Sequence, residues 1–271
     1  MVAAIFISSL ALALVGLPLL AWKWNIKIKV AIWGAIAIGV ITGLIVYWIN
    51  TAVTDIHIVL LILIEGALIL ILTAIIILTR FYRDPERTPG ETENVILSPA
   101  DGTVVYVNNV ENSSCLVSTK GKTKFPLEEI ASTDLLNNAV YLLGIDMNVL
   151  NIHVNRSPIS GKVILCKRTK GAFISLRRQE SEVMNERVTT IIDNRKFKIG
   201  VIQISSRLVR KIISYIGEGD STEIGQRLGS IIFGSQVDVV VPHLEELRIE
   251  IKPGDEVKAG VSVVARYALK E

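Results

Sequence analysis

Cysteine is nearly absent: Cys115 and Cys166 are the only two in 271 residues, and they form no metal-ligand spacing. That excludes a disulfide scaffold and a cysteine zinc site, and both thiols read as free in a reducing compartment. Histidine is as scarce, at His57, His153 and His243, and no metal site is expected. Strong charge of one sign is also missing. A net charge of +3 is too mild to imply a nucleic-acid partner. Basic clusters do occur, at Lys167-Arg168 with Lys170, at Arg177-Arg178, and at Arg207 with Arg210-Lys211. They read first as solvated faces, and beside a membrane each charge would add about 1 kcal/mol of attraction to anionic lipid.

What abounds is apolar side chain, half of the chain, and it is concentrated at the front. Ala3 to Trp22, Val30 to Ile49 and Ile58 to Thr79 are each about twenty residues long, enough to cross a hydrocarbon core of about 30 Å. No Lys or Arg precedes the first run, so three spans are expected rather than a cleaved leader plus two. Lys23, Lys27 and Lys29 follow the first span and Arg80, Arg83 and Arg87 the third, whereas the second loop has Asp55 and His57 but no Lys or Arg. The basic loops predict an amino terminus outside and the carboxyl-terminal part in the cytoplasm. Trp22, Trp24, Tyr47 and Trp48 suit interfacial belts at the span ends. Glu65, inside the third span, is expected to be a protonated or paired acid that packs one helix on another.

Residues 1–80 are thus a three-helix membrane anchor, and 81–271 form one domain of ordinary size, entered through a linker, Arg80 to Glu93, punctuated by Pro85, Pro89 and Gly90. This domain reads as mainly β. Strand-like runs are Thr103–Val107, Ala139–Leu143, Val188–Ile192, Phe197–Ile204, Ile231–Val241 and Leu247–Ile251, separated by turn signals such as Asp101-Gly102, Asn194-Arg195 and Pro253-Gly254-Asp255. Short helices are expected at Leu127–Ile130 and Leu208–Tyr215. The tail from Ile251 to Ala265 resembles the end of a barrel-sandwich hybrid of the biotinyl or lipoyl type, without the Lys-bearing hairpin of a carrier.

One dipeptide stands out. Gly234-Ser235 interrupts an apolar run: Gly234 has no Cβ to block its carbonyl, and the Ser235 hydroxyl can reach that carbonyl if a base lies nearby. The plain alternative is a bulge or close backbone approach, and Gly229-Ser230, five residues earlier, is a pair of the same kind.

Four further segments give the pair a context: Phe81-Tyr-Arg-Asp-Pro-Glu-Arg87, Leu97-Ser-Pro-Ala-Asp-Gly102, Asn151-Ile-His-Val-Asn-Arg-Ser-Pro-Ile-Ser-Gly161 and Asn185-Glu-Arg187. In this order and spacing, from about Phe81 to Ala265, the chain resembles the phosphatidylserine decarboxylases in their short prokaryotic form, which includes the archaetidylserine decarboxylases. The resemblance implies a pyruvoyl cofactor made from the chain's own serine, with neither pyridoxal phosphate nor metal. It implies that Ser235 attacks Gly234, that β-elimination then splits the chain into 1–234 and 235–271, and that the pyruvoyl left at Ser235 takes the headgroup amine as a Schiff base and draws electrons as CO2 leaves. His153 matches the family's histidine and Asp101 its aspartate, a base and its orienting carboxylate as in a serine-hydrolase triad. Asn155 and Arg156 stand near enough to His153 to hold a phosphate or carboxylate and are assigned no catalytic part; His243 is read as a surface residue. The chain departs from the family at Gln236, where Arg is common, at Asn151, where Asp is frequent, and at Leu150, where some relatives carry a second histidine. Reprotonation after CO2 loss then falls to His153 or to water.

The partners implied are a serine-headed phospholipid in the bilayer and the two fragments of the chain as a heterodimer; a homodimer is compatible with the resemblance. A second reading makes the protein a membrane-tethered hybrid-barrel adaptor or lipid-binding module that never cuts itself. An intact chain with no carbonyl-reactive terminus would favour it.

Overall fold

A computed structural model describes residues 2–24, 26–53, 56–110, 116–118, 124–126, 140–171, 185–205, 211–232, 235–244 and 246–268. The chain divides into two compact units, residues 1–83 with 148–150, and residues 84–147 with 151–271. Cys115, the helix expected at Leu127–Ile130, Arg177-Arg178, Arg207, Arg210 and Gly234 lie outside the described residues.

The first unit is built on α1 (Val2–Lys23), α2 (Ile28–Ala52) and α3 (Ile58–Phe81). At 22, 25 and 24 residues all three are long and apolar enough to cross a membrane. Their outward faces carry Ile7, Val15, Leu19, Trp33, Leu63 and Leu70, all exposed, which is compatible with a lipid-facing surface. Lipid offers helices no hydrophobic reason to associate, so contact depends on close fit. Gly39 and Gly43 supply it. A Cβ at Gly39 would stand 3.1 Å from Leu10 Cα, and one at Gly43 would stand 2.8 Å from the Phe6 ring. The Gly39-x-x-x-Gly43 spacing puts both on one face of α2 and lets α1 approach. Glu65 is buried, and its Oε1 accepts the Ser8 hydroxyl at 2.8 Å, tying α3 to α1. His57 caps α3, its Nδ1 accepting from Val59 N–H at 3.3 Å.

The second unit contains strands and no helix among its described residues. In chain order these are β1 (Val95–Leu97), β2 (Gly102–Val110), β3 (Leu116–Ser118), β4 (Lys124–Pro126), β5 (Val140–Met147), β6 (Val154–Arg156), β7 (Gly161–Thr169), β8 (Arg187–Asp193), β9 (Lys198–Ser205), β10 (Ile212–Ser214), β11 (Ser221–Thr222), β12 (Arg227–Ile231), β13 (Ser235–Pro242), β14 (Arg248–Ile249), β15 (Glu256–Val257) and β16 (Val263–Arg266). The main sheet has eight strands in the order β11-β7-β8-β9-β13-β5-β2-β15, and three-stranded sheets run β10-β12-β6 and β1-β16-β14.

Both faces of the main sheet are buried. Leu143, Ile145, Met147, Val237 and Val239 belong to one core, and Leu142, Ile202, Ile204 and Val240 to another, the alternation a pleated strand imposes. This explains why the strands read as near-continuous apolar runs.

Several expectations need correcting. The helix expected at Leu208–Tyr215 is strand where it is described: Ile212 and Ile213 are β-branched and pair with Ile231 and Ser230. The run Ile231–Val241 is two strands in two different sheets, β12 ending at Ile231 and β13 opening at Ser235. Of Leu247–Ile251 only Arg248–Ile249 is strand. Asn194-Arg195 does turn, with Arg195 at φ 72 and the Asn194 carboxamide accepting from Lys196 and Phe197 N–H.

Candidate active site

Position 235 opens β13, the fifth of the eight strands in the main sheet. Its register partners are Met147 on β5 and Ser205 on β9, so the backbone there is held from both sides.

His153 directly precedes β6, a strand of a different sheet. Its carbonyl accepts from Ile231 N–H at 3.1 Å, and Val154 and Asn155 pair with Ser230 and Gly229. The histidine is therefore laced to the last residue of the strand from which the chain runs on toward position 235. The close fit of these strands depends on Gly229, where a Cβ would stand 2.3 Å from the Ile213 carbonyl oxygen. The second Gly-Ser pair is thus a close backbone approach, and Ser230 accepts from the Tyr215 hydroxyl at 3.1 Å.

The imidazole is 2% exposed. Burial pushes its pKa down to about 4, against smaller upward pulls from the Asn151 hydrogen bond and the Asp101 charge. At neutral pH the ring is uncharged. Its Nδ1 lies 2.9 Å from the Asn151 carbonyl oxygen. A carbonyl can only accept, so Nδ1 carries the hydrogen and Nε2 the lone pair. A proton acceptor is thereby in place without any drop in pH.

Asp101 stands just before β2, at 6% exposure. Its Oδ1 accepts from Ala259 N–H at 2.8 Å and its Oδ2 from Arg87 Nη2 at 2.9 Å, with Arg87 Nη1 also on Oδ1. The Asn151 carbonyl therefore orients the His153 ring, while Asp101 acts on it through charge. Gly102 is required where it is, since a Cβ would meet the Asp146 carbonyl oxygen at 2.3 Å. The Asp101 loop sits beside β6: Arg156 N–H donates to the Pro99 carbonyl at 2.9 Å and Leu97 N–H to that of Pro158 at 3.0 Å.

Residues expected to be a linker take part in this site. Arg87 forks onto Asp101 and also reaches the Ala259 carbonyl at 2.8 Å. Asp84 and Glu86 accept from Arg227 at 2.6 and 2.7 Å. Arg156, 3% exposed, donates to the Gly225 carbonyl at 2.9 Å and the Pro85 carbonyl at 3.1 Å. It is a clamp rather than a solvated charge. The Arg-Asp-Pro-Glu-Arg run looked like a membrane exit, and its alternating signs around a proline were the signal that it docks.

Sequence reasoning missed Gln203 and Ser205 and took Asn185 only as part of a motif; all three are buried. Gln203 Nε2 donates to Asn155 Oδ1 at 2.7 Å, Asn185 Nδ2 to the Ser205 carbonyl at 2.9 Å, and Ser205 Oγ to the Glu186 carbonyl at 3.0 Å. The available signal was a glutamine inside the apolar run Phe197–Ile204, since a buried polar residue informs where an apolar one does not. His243 is exposed and stacks on Tyr141 with ring centroids 4.7 Å apart, away from this chemistry. Cys166 is a free thiol.

Sequence comparison with known proteins gives the family. The sequence profile of the phosphatidylserine decarboxylase family matches residues 75–265. A putative archaetidylserine decarboxylase proenzyme of Methanocaldococcus jannaschii is 37% identical over 185 residues, 68% of this chain and 87% of that protein. A phosphatidylserine decarboxylase proenzyme of Chlorobium limicola is 34% identical over 206 residues, 76% of this chain and 86% of that protein. A putative archaetidylserine decarboxylase proenzyme of Methanothermobacter thermautotrophicus is 34% identical over 201 residues, with 73% and 84% covered.

Proposed function

The chain belongs to the phosphatidylserine decarboxylase family and is a decarboxylase, and from that premise we propose that it cuts itself between Gly234 and Ser235 and then decarboxylates a serine-headed phospholipid. The product is the ethanolamine-headed lipid and CO2. Three apolar helices keep the enzyme in the bilayer where its substrate resides, with the amino terminus outside and the β unit in the cytoplasm.

The observation that supports this reading is a buried, neutral His153 whose carbonyl accepts from Ile231 N–H, on the strand from which the chain runs on to position 235. His153 Nε2 accepts the Ser235 hydroxyl proton as the oxygen attacks the Gly234 carbonyl. The peptide becomes an ester, and elimination across Ser235 Cα and Cβ releases the carboxylate of Gly234. Hydrolysis of the resulting dehydroalanine releases ammonia and leaves a pyruvoyl group. Asp101, held by Arg87 and the Ala259 N–H, lends negative charge that favours the imidazolium formed in passing. General-base assistance of this kind contributes about 10²–10⁴ in rate.

The residues present fit a pyruvoyl group at 235. Pairing to β5 and β9 holds the new terminus after the cut, so the group stays fixed without a peptide bond on its amino side. When formed, it supplies an electron-withdrawing carbonyl for the carbon that loses CO2. The proton that replaces CO2 on that carbon comes from water, directly or relayed through His153 Nε2.

Intact-mass spectrometry tests the reading. Two chains, 1–234 and 235–271, are expected, the small one about 17 Da lighter than its serine-started form, the mass of ammonia lost from a nucleophilic serine. Ser235→Ala should give one uncut, inactive chain. Normal cutting in that variant would overturn the site.

A further inference from the structure

His153 directly precedes β6, its carbonyl continuing the pairing with β12 through Ile231 N–H, and Asn155 lies two residues on inside the strand, so the pair falls on one side. The short run that brings the base to the reaction centre therefore brings a carboxamide with it. Asn155 is fully buried. Its Oδ1 accepts from Gln203 Nε2 at 2.7 Å, while Nδ2 faces Met147 Sδ at 3.9 Å.

Those two contacts locate it. Met147 belongs to β5 and Gln203 to β9, the strands on either side of β13. Neighbouring strands stand about 4.8 Å apart, which puts β5 and β9 about 9–10 Å from each other. A side chain touching both lies across β13. Met147 is opposite position 235 and Gln203 opposite Val237, so the carboxamide lies over residues 235–237. Gln203 takes up the oxygen end. The N–H₂ end meets a thioether, a weak acceptor, which leaves donor capacity for an incoming oxygen.

We propose that Asn155 Nδ2 donates to the carboxylate of the serine headgroup and so selects serine-headed over ethanolamine-headed lipid; this rests on the decarboxylase reading above. The two side chains its carboxamide contacts, Gln203 and Met147, are neutral, and that suits the reaction. When the bond between the headgroup α-carbon and its carboxyl carbon breaks, the electron pair stays with the α-carbon, CO2 leaves uncharged, and a proton takes the vacated place. A Lys or Arg at this point would stabilise the starting carboxylate more than the transition state. An amide orients the carboxylate without that penalty. Gln203 is the positioning residue that fixes the amide's direction.

The test compares the full-length, self-processed chain with Asn155→Ala and Asn155→Asp in detergent–lipid micelles. Intact mass and labelling with a carbonyl-reactive hydrazide report whether each has cut itself and bears the terminal ketone. The KM for serine-headed lipid and the inhibition constant of the ethanolamine-headed product report recognition. Both variants are expected to cut and label as wild type. In Asn155→Ala the KM should rise about tenfold or more while the product's inhibition constant moves about twofold or less. Asn155→Asp, which sets like charge against the carboxylate, should raise KM further. A parallel rise in both constants would mean general damage to the pocket and overturn the proposal. So would an unchanged KM, or variants that fail to cut. A wild-type chain that stays whole overturns the decarboxylase mechanism itself, and with it this assignment.

Discussion

His153 is pulled in two directions, and burial wins. Its pKa near 4 lies below the ordinary 6.5 because a buried imidazolium loses more hydration than Asp101 and the Asn151 carbonyl return. Between those two pH values the unfolded chain takes up a proton that the folded chain refuses. Stability is therefore full above pH 6.5 and is lost as pH falls toward 4, by about 3 kcal/mol at most from this group. Thermal melts of the uncut Ser235→Ala chain at pH 7 and pH 4.5 should show this loss, and His153→Gln should shrink it. The self-cleavage rate should stay level from pH 8 to about 5 and fall by half near pH 4, in line with the depressed value. A midpoint at 6.5 would mean a hydrated ring. Asp101→Asn removes the charge that favours imidazolium and should slow cutting. Arg87→Met leaves Asp101 buried with only the Ala259 N–H, and breaking such a pair costs about 3–5 kcal/mol, which a melting curve would register.

At the level of elements, the strands were legible wherever β-branched residues ran together, as at Val188–Ile192 and Phe197–Ile204. The short strands were not. Val154–Arg156 is three residues long and is defined by partners on β12, a non-local fact that no local pattern carries. Ile212–Ser214 looked helical for the same reason. His153, Asp101 and Ser235 are proposed from motif order, whereas Arg87 and Gln203 required the fold, because each matters for what it touches. Two neighbouring substitutions separate packing from chemistry here. Gly229→Ala drives a Cβ into the Ile213 carbonyl, pushes β10 from β12 and should impair cutting through His153. Ser230→Ala should leave cutting intact, since its hydroxyl bonds only to Tyr215 on an exposed rim. In the first unit, Gly43→Leu collides with Phe6 and should lower the melting temperature of the purified protein.

Across the whole molecule, the sequence read correctly as three apolar helices followed by a mainly β domain, because long apolar runs and period-two patterns are local properties. The depth at which position 235 lies inside the sheet was not readable, since strand order is set by pairing at long range. That depth governs what the cut does. Residues 235–271 carry β13 through β16, and β13 runs between β9 and β5 in the middle of the main sheet. The two products should co-elute on gel filtration and part only in denaturant. Elution of a free small chain under native conditions would contradict this.

The same strand position would make the proposed cut a proofreading event. On the proposed mechanism the attacking residue opens β13 of the main sheet and its base directly precedes β6 of another, so the two meet only in the folded chain. A chain with a misregistered sheet has no base at the scissile bond and stays whole. On the proposed mechanism every pyruvoyl terminus would mark a molecule that had already folded, and the ratio of cut to uncut chain in a preparation would measure folding yield, with no assay of lipid turnover required.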